Sequence, residues 1–249
     1  MVKLVYHEKL IPFGNNKVSI PVLMYHSISN DKNKISVSVL NFKRQMRFMH
    51  SLGYMGCSLN KINSNTSKKK IVITFDDGYE NVFTKAMPVL NEFDFSATCF
   101  IVINKIGYFN DWDKNQKNFK KKRIMNTKQI KNWIKNGFEI GSHSMDHYNL
   151  NNLSNIQKKI QILKSKEFFK KNYGIKIQSF SYPFGSYNED CLKILKKNYK
   201  FAVTTKRSRY VKDKFNPHEI PRVPINSNTS IFKYFLKIAT FYEDVKFKR

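Results

Sequence analysis

Two adjacent carboxylates, Asp76 and Asp77, follow a β-branched apolar run and precede a glycine in Ile73-Thr74-Phe75-Asp76-Asp77-Gly78. A buried strand ending there places both at the C-terminal edge of a parallel sheet, where such sheets carry their active sites. Gly78 lets the chain turn sharply. Neighbouring side chains at a strand end point in different directions, so one carboxylate can bind a metal while the other handles a proton. A second group follows another short apolar run, Gly141-Ser142-His143-Ser144-Met145-Asp146-His147. Its histidines are four apart, and on one helical turn that spacing brings both imidazoles to one face. The chain has six histidines, so a pair in this arrangement narrows the search. One Asp with two His makes a facial set of three protein ligands and leaves positions open for water. That is the donor set of a catalytic metal rather than a structural one. A third segment, SFSYPFGSY from Ser179 to Tyr187, runs from a strand into a Pro/Gly turn rich in aromatics. It could form a groove wall on which sugar rings stack, or it could be core packing.

These groups need a scaffold, and strand-like and helix-like stretches alternate along the chain. Strands are expected at 18–25, 70–75, 97–103, 138–140, 179–182 and 201–204. Helices are expected at 39–52 with Gly53 as the stop, and at 81–93 with Pro88 as a kink. Further helices are expected at 127–135, with Thr127 as N-cap and Gly137 past the end, and at 153–173, closed by Gly174. The last two are 189–197 and 230–245, and a polar, Lys-rich loop fills 108–123. Such alternation with buried strands means an α/β fold, a parallel sheet covered by helices. At 249 residues a single β/α barrel is favoured over an open sheet. Residues 1–17 read as an N-terminal extension and 18–249 as one domain.

Composition closes off several classes. The hydrophobic fraction of 41 % with 14 % aromatics supports a sizeable core, against disorder. Three scattered cysteines cannot all pair and contain no C-x-x-C spacing, so neither a disulfide scaffold nor a thiolate metal knot is expected. No run of about 18 apolar residues suggests a spanning helix. The first ten residues lack the apolar core of a secretory signal, so a cytoplasmic location is expected, with peripheral contact at the inner membrane. The net charge of +27 reflects either lysine-rich composition or an anionic partner. No helix-turn-helix, aromatic RNA-binding signature or zinc-finger spacing supports a specific nucleic acid.

The segments PVLMYHSIS, ITFDDGYENVFTKAMPVL, ATCFIV, NGFEIGSHSMDHYNL, SFSYPFGSYN, FAVTT and IPRVPI, in this order over residues 18–226, resemble the polysaccharide deacetylase family (carbohydrate esterase family four). The resemblance implies a distorted (β/α)7 TIM-like barrel that removes acetyl groups from N-acetylated sugars with a divalent metal. Zinc is the usual ion, with cobalt, nickel or manganese as alternatives. It further implies Asp77, His143 and His147 as metal ligands, Asp76 as general base, and a backbone N–H near Phe184 as an oxyanion contact. Tyr182, Pro183, Phe184, Tyr187 and His26 become substrate-binding candidates. The chain departs from the pattern at two points. The family's motif arginine is replaced by Ser181, and Arg222 could orient the base from another strand. No general acid is recognisable, and only position recommends His218. The expected substrate is an N-acetylated glycan or lipid-linked sugar, such as a lipopolysaccharide or capsule precursor. The alternatives are an exported peptidoglycan or exopolysaccharide deacetylase and a catalytically weak carbohydrate-binding relative.

The tail Ser230–Arg249 carries Ile231, Phe235, Ile238, Tyr242 and Val245 at helical spacing among basic residues. It reads either as a helix lying in an anionic membrane interface or as the last barrel helix packed on the core.

Overall fold

The computed structural model describes residues 19–247 apart from 32, 116 and 118. The expected N-terminal extension, 1–17, lies outside the described residues. In chain order the strands are β1 (Ser19–Ile20), β2 (Val22–Tyr25), β3 (Ser27–Ile28), β4 (Ser36–Val37), β5 (Tyr54–Cys57) and β6 (Lys69–Phe75). They continue as β7 (Thr98–Ile101), β8 (Glu139–Ser142), β9 (Ser179–Ser181), β10 (Phe201–Arg207), β11 (Tyr210–Val211) and β12 (Ile220–Pro224). The helices are α1 (Val39–Ser51), α2 (Met87–Glu92), α3 (Thr127–Lys135), α4 (Asn155–Lys159), α5 (Ser165–Tyr173), α6 (Glu189–Asn198), α7 (Ile231–Ala239) and α8 (Tyr242–Lys246).

Seven strands close into a parallel barrel in the order β2-β6-β7-β8-β9-β10-β12, with β12 pairing back to β2. The (β/α)7 expectation is met; β5 adds a parallel strand along the start of β6. Alternation along each strand sorts side chains into two clusters. Val22, Val72, Phe100, Phe201, Val203 and Ile220 fill the inside. Leu23, Ile71, Ile73, Phe75, Cys99 and Phe180 face outward, where they pack with Phe42, Met46, Trp133 and Leu192 of the helices. The parity that turns Val72 inward also turns Thr74 and Asp76 inward, and the parity of Ile220 does the same for Arg222.

Deep in the barrel, Glu139 is held by the hydroxyls of Thr98 and Ser179, each at 2.6 Å, and by the Asn60 N–H at 2.9 Å. Burial outweighs these donors and pushes its carboxyl up. Above it Gly141 leaves room for the Phe100 ring: a Cβ there would lie 2.4 Å from a ring carbon.

Several helix boundaries differ from expectation for local reasons. Asn126, not Thr127, caps α3, in a reciprocal capping box with Gln129. The 81–93 stretch begins as a π-helical turn at Val82–Ala86 and continues without a break into α2, with Pro88 two residues past the π-helical turn. The 153–173 stretch starts at the Ser154 cap and passes through a second π-helical turn, Ile160–Lys164. The tail is not one helix. Thr240 is extended, its hydroxyl bonding the Leu236 carbonyl and accepting from the Tyr242 N–H, so the chain turns back. The turn brings Glu243 fully into the interior, against Arg207 and Lys237. The buried side of the tail is therefore Tyr234, Lys237, Ile238 and Glu243, while Ile231, Phe235 and Val245 of the expected stripe are exposed. The tail thus matches neither reading as expected: it is two short helices, and the side packed on the core is not the expected stripe.

Deleting everything after Thr229 should then strip the core at Tyr234 and leave Arg207 without its carboxylate partner. We expect the truncated chain to lose the cooperative thermal transition of the full chain, followed by circular dichroism. An unchanged melting temperature would contradict this packing.

Candidate active site

β6 ends in a turn that its sequence makes tight. Asp77 (φ 72°) and Gly78 (φ 76°) both take left-handed backbone, which turns the two carboxylates apart. Asp76 points into the barrel mouth and meets Arg222 in a two-pronged ion pair, both N–O distances 2.7 Å. Arg222 is fully buried. Its Nε donates to the Thr204 carbonyl (2.8 Å), and its terminal nitrogens reach the hydroxyls of Thr74 (3.2 Å) and Ser181 (3.3 Å). Burial alone would raise the Asp76 carboxyl; the charge and hydrogen bonds of Arg222 hold it below its ordinary value. The chain thus places an arginine from β12 against the base candidate, and Ser181 accepts one of its hydrogen bonds.

Asp77 faces the histidine segment. Its Oδ1 lies 3.4 Å from Nε2 of both His143 and His147. One donor atom from each of the three residues falls within 4.8 Å of the others, and all three residues are buried. The spacing of four does not come from a helical turn as expected. Ser144 (φ 68°) and His147 (φ 62°) interrupt the backbone, and the loop curls so that the imidazoles meet at 4.8 Å between ring centroids. His143 Nδ1 faces the Ser181 carbonyl at 2.8 Å, which fixes Nδ1–H and leaves Nε2 free to act as a ligand. His147 Nδ1 is buried without a partner.

This asymmetry shows in proton affinity. Burial depresses both imidazoles, but the Asp77 hydrogen bond, the Asp76 charge and the Ser181 carbonyl raise His143 above its ordinary value. His147 stays below it, since burial and the neighbouring His143 prevail. Burial would raise Asp77, yet hydrogen bonds from the two imidazoles hold it well below the carboxylate range. A carboxylate oxygen and two imidazole nitrogens, desolvated and converging, match the donor preference of a divalent transition ion.

The cleft above has a volume of about 210 Å³. Of the expected substrate-binding residues, His26, Tyr182 and Phe184 line it. His26 Nε2 lies 4.0 Å from Asp76 Oδ2. Phe184 is left-handed (φ 58°) and 54 % exposed, and its ring meets His147 edge-on. The N–H groups of Gly185 and Ser186 close this turn on Tyr182 and Pro183, so the turn's own hydrogen bonds do not use the Phe184 N–H. Pro183 and Tyr187 do not line the cleft. Pro183 is buried, and Tyr187 stacks behind Tyr182 with its hydroxyl bonded to Glu219 at 2.6 Å. His218 is no acid candidate: its Nε2 is engaged by the Tyr199 carbonyl at 2.9 Å, and it too lies away from the cleft.

The other wall comes from the polar, Lys-rich loop at 108–123. Trp112 stacks flat on His147 at 4.6 Å, with Asn110, Phe119 and Lys120 beside it. A tryptophan flanked by Asp111 and Asp113 in a lysine-rich loop was the available signal. The loop is anchored by buried Lys122, which reaches Asp31 and the hydroxyls of Ser27 and Ser36. Burial opposes ionisation of Asp31, but its bonds to Lys122 and Ser36 pull it down to about 2.

The similarities of the chain agree with this geometry. The polysaccharide deacetylase family model matches residues 63–201. YxkH of Bacillus subtilis, named as a polysaccharide deacetylase homologue, is 33 % identical over 193 residues, 75 % of this chain and 64 % of that protein. The chain thus spans under two thirds of that relative's length. The poly-β-1,6-N-acetyl-D-glucosamine N-deacetylase of Staphylococcus aureus (strain MRSA252) is 26 % identical over 232 residues, covering 86 % of this chain and 76 % of that protein. A solved Bacillus cereus polysaccharide deacetylase shares 25 % identity with a TM-score of 0.75, over 89 % of this chain and 69 % of that one. The Streptococcus pyogenes deacetylase PplD, solved with acetate, shares the fold: TM-score 0.76 at 24 % identity, over 90 % of this chain and 99 % of that one. With the family model matching more than half of its length, this chain belongs to the polysaccharide deacetylase family.

Proposed function

We propose that the protein is a divalent-metal-dependent N-deacetylase of an N-acetylated hexosamine glycan of the exopolysaccharide type. One observation carries the reading: the convergent donors of Asp77, His143 and His147 lie beside a second carboxylate, Asp76, clamped by a buried arginine. The similarity to the Staphylococcus aureus exopolysaccharide deacetylase, over most of both chains, favours a polymer over the lipid-linked precursor expected first. Zinc is the ion we propose; cobalt, nickel and manganese suit the same donors less commonly.

Amide hydrolysis adds water to the acetamide carbonyl, expels the amine and releases acetate. A divalent ion held by Asp77, His143 and His147 would supply Lewis acidity toward the carbonyl and acidify a nearby water. The chain does the rest. Asp76 takes the proton of the attacking water; Arg222 keeps it ionised and aimed. The Phe184 N–H, at the cleft wall, stabilises the developing oxyanion. Trp112 and Phe184 hold His147 between them and offer apolar faces to a sugar ring. The proton returns to the leaving nitrogen from Asp76, the carboxyl facing the reacting centre, with His26 Nε2 4.0 Å from it.

Asp76→Asn should abolish acetate release while zinc content by atomic emission stays that of the wild type. Asp77→Ala and His143→Ala should lose zinc and activity together. A fully active, zinc-replete Asp76→Asn protein would overturn these roles. The substrates tested should include β-1,6-linked N-acetylglucosamine oligomers, peptidoglycan fragments and a lipid-linked acetamido sugar. Turnover of the last alone would restore the precursor reading.

The pH profile tests Arg222 separately. Asp76 has its carboxyl held down in the intact pair, so it stays ionised through the weakly acid range. Without the guanidinium, burial prevails and favours the protonated form, so the base forms only at higher pH. Arg222→Ala should therefore move the acid limb of kcat/KM upward and lower kcat by about 10²-fold. An unmoved acid limb would leave Asp76 without an orienting partner.

A further inference from the structure

Two π-helical turns occur among the described residues, Val82–Ala86 and Ile160–Lys164. Such turns make up well under about 1 % of residues in soluble proteins, and they concentrate near functional sites. Each follows one of the strands that carry the ligand set, β6 and β8. The second meets the histidine loop. Gln161, within it, is buried, and its Oε1 accepts from the backbone N–H groups of Met145 (3.1 Å) and Asp146 (3.0 Å). Its Nε2 donates to one oxygen of Asp146 at 2.7 Å, while Asn104 donates to the other at 2.6 Å.

The two amides that Gln161 gathers lie between the left-handed residues Ser144 and His147. Their N–H groups stay converged only while one acceptor satisfies both. The ligands differ in how else they are held. His143 has the Ser181 carbonyl on Nδ1, whereas His147 has no partner there and is placed by its backbone and by ring stacking. Loss of the Gln161 acceptor should therefore displace His147 first.

We propose that Gln161 is a positioning residue that preorganises the histidine loop for metal binding, so that affinity for the ion depends on a side chain that never touches it. The inference rests on the metal reading of Asp77, His143 and His147 and deepens it.

The test measures Zn²⁺ affinity by chelator competition, with Co²⁺ absorption as a second readout because its visible bands report ligand geometry. Gln161→Leu should weaken Zn²⁺ binding by about 10–100-fold, the usual effect of losing a group that orients a ligand, and should alter the Co²⁺ bands. Gln161→Glu keeps the acceptor but sets a carboxylate against Asp146, so it should also weaken binding. Adding Asp146→Asn supplies a donor to that carboxylate and should return affinity and bands toward the wild type. A Gln161→Leu protein with wild-type affinity and bands overturns the proposal. If that variant does not fold, the comparison of Gln161→Glu with the double variant decides: rescue supports the proposal, equal affinities overturn it. A wild-type protein that binds no Zn²⁺ overturns the metal reading itself.

Discussion

The pairing of Arg222 with Asp76 is the constraint around which the barrel mouth is built. A guanidinium has five N–H donors, and here each has an acceptor: Asp76 twice, Thr74, Ser181 and the Thr204 carbonyl. Those acceptors come from β6, β9 and β10, so one side chain of β12 ties four barrel strands together at the level of the site. As a stabilising device this is inefficient, because desolvating the two charges costs several kcal/mol per ion and the attraction does little more than offset it. As an orienting device it is effective. It fixes both oxygens of a carboxylate and keeps it ionised in a place where burial alone would protonate it.

The ligand set shows the complementary strategy. Of the non-glycine residues with positive φ, Asp77, Ser144, His147 and Phe184 lie at the site. Left-handed backbone at such residues costs on the order of 1–3 kcal/mol each, and it persists only where surroundings over-determine it. Here the surroundings are visible. The His147 N–H is taken by Ser144 Oγ at 3.0 Å, Ser142 Oγ bonds Ser165 Oγ at 2.6 Å, and Trp112 and Phe184 bracket the ring. Ordered helices behind the barrel thus hold loops that would otherwise relax.

What the sequence makes legible follows from what is local. Apolar runs ending in ITFDDG and FEIGSH are local signals, so the alternation of strands with helices and the strand-end place of Asp76, Asp77 and His143 are legible. The carboxylate and histidine pairs are short-range motifs, and they meet in the structure. Features that depend on long-range packing were hidden. The histidine loop keeps its spacing of four but reaches it through left-handed residues, Ser144 and His147, a conformation that few non-glycine residues adopt. Thr240 breaks the tail because Glu243 finds Lys237 and Arg207, a partner from β10 far earlier in the chain. Trp112 becomes a wall only because Lys122 and Asn110 pin its loop, contacts that a lysine-rich composition conceals.

The central claim is that Asp77, His143 and His147 together hold one catalytic ion beside Asp76. X-ray absorption at the zinc edge of the zinc-loaded protein tests it most directly. The account predicts one ion per chain with two imidazole nitrogens among its ligands, and loss of that zinc signal in His147→Ala as in the other ligand variants. A zinc environment without imidazole, or one unchanged by that substitution, would contradict it.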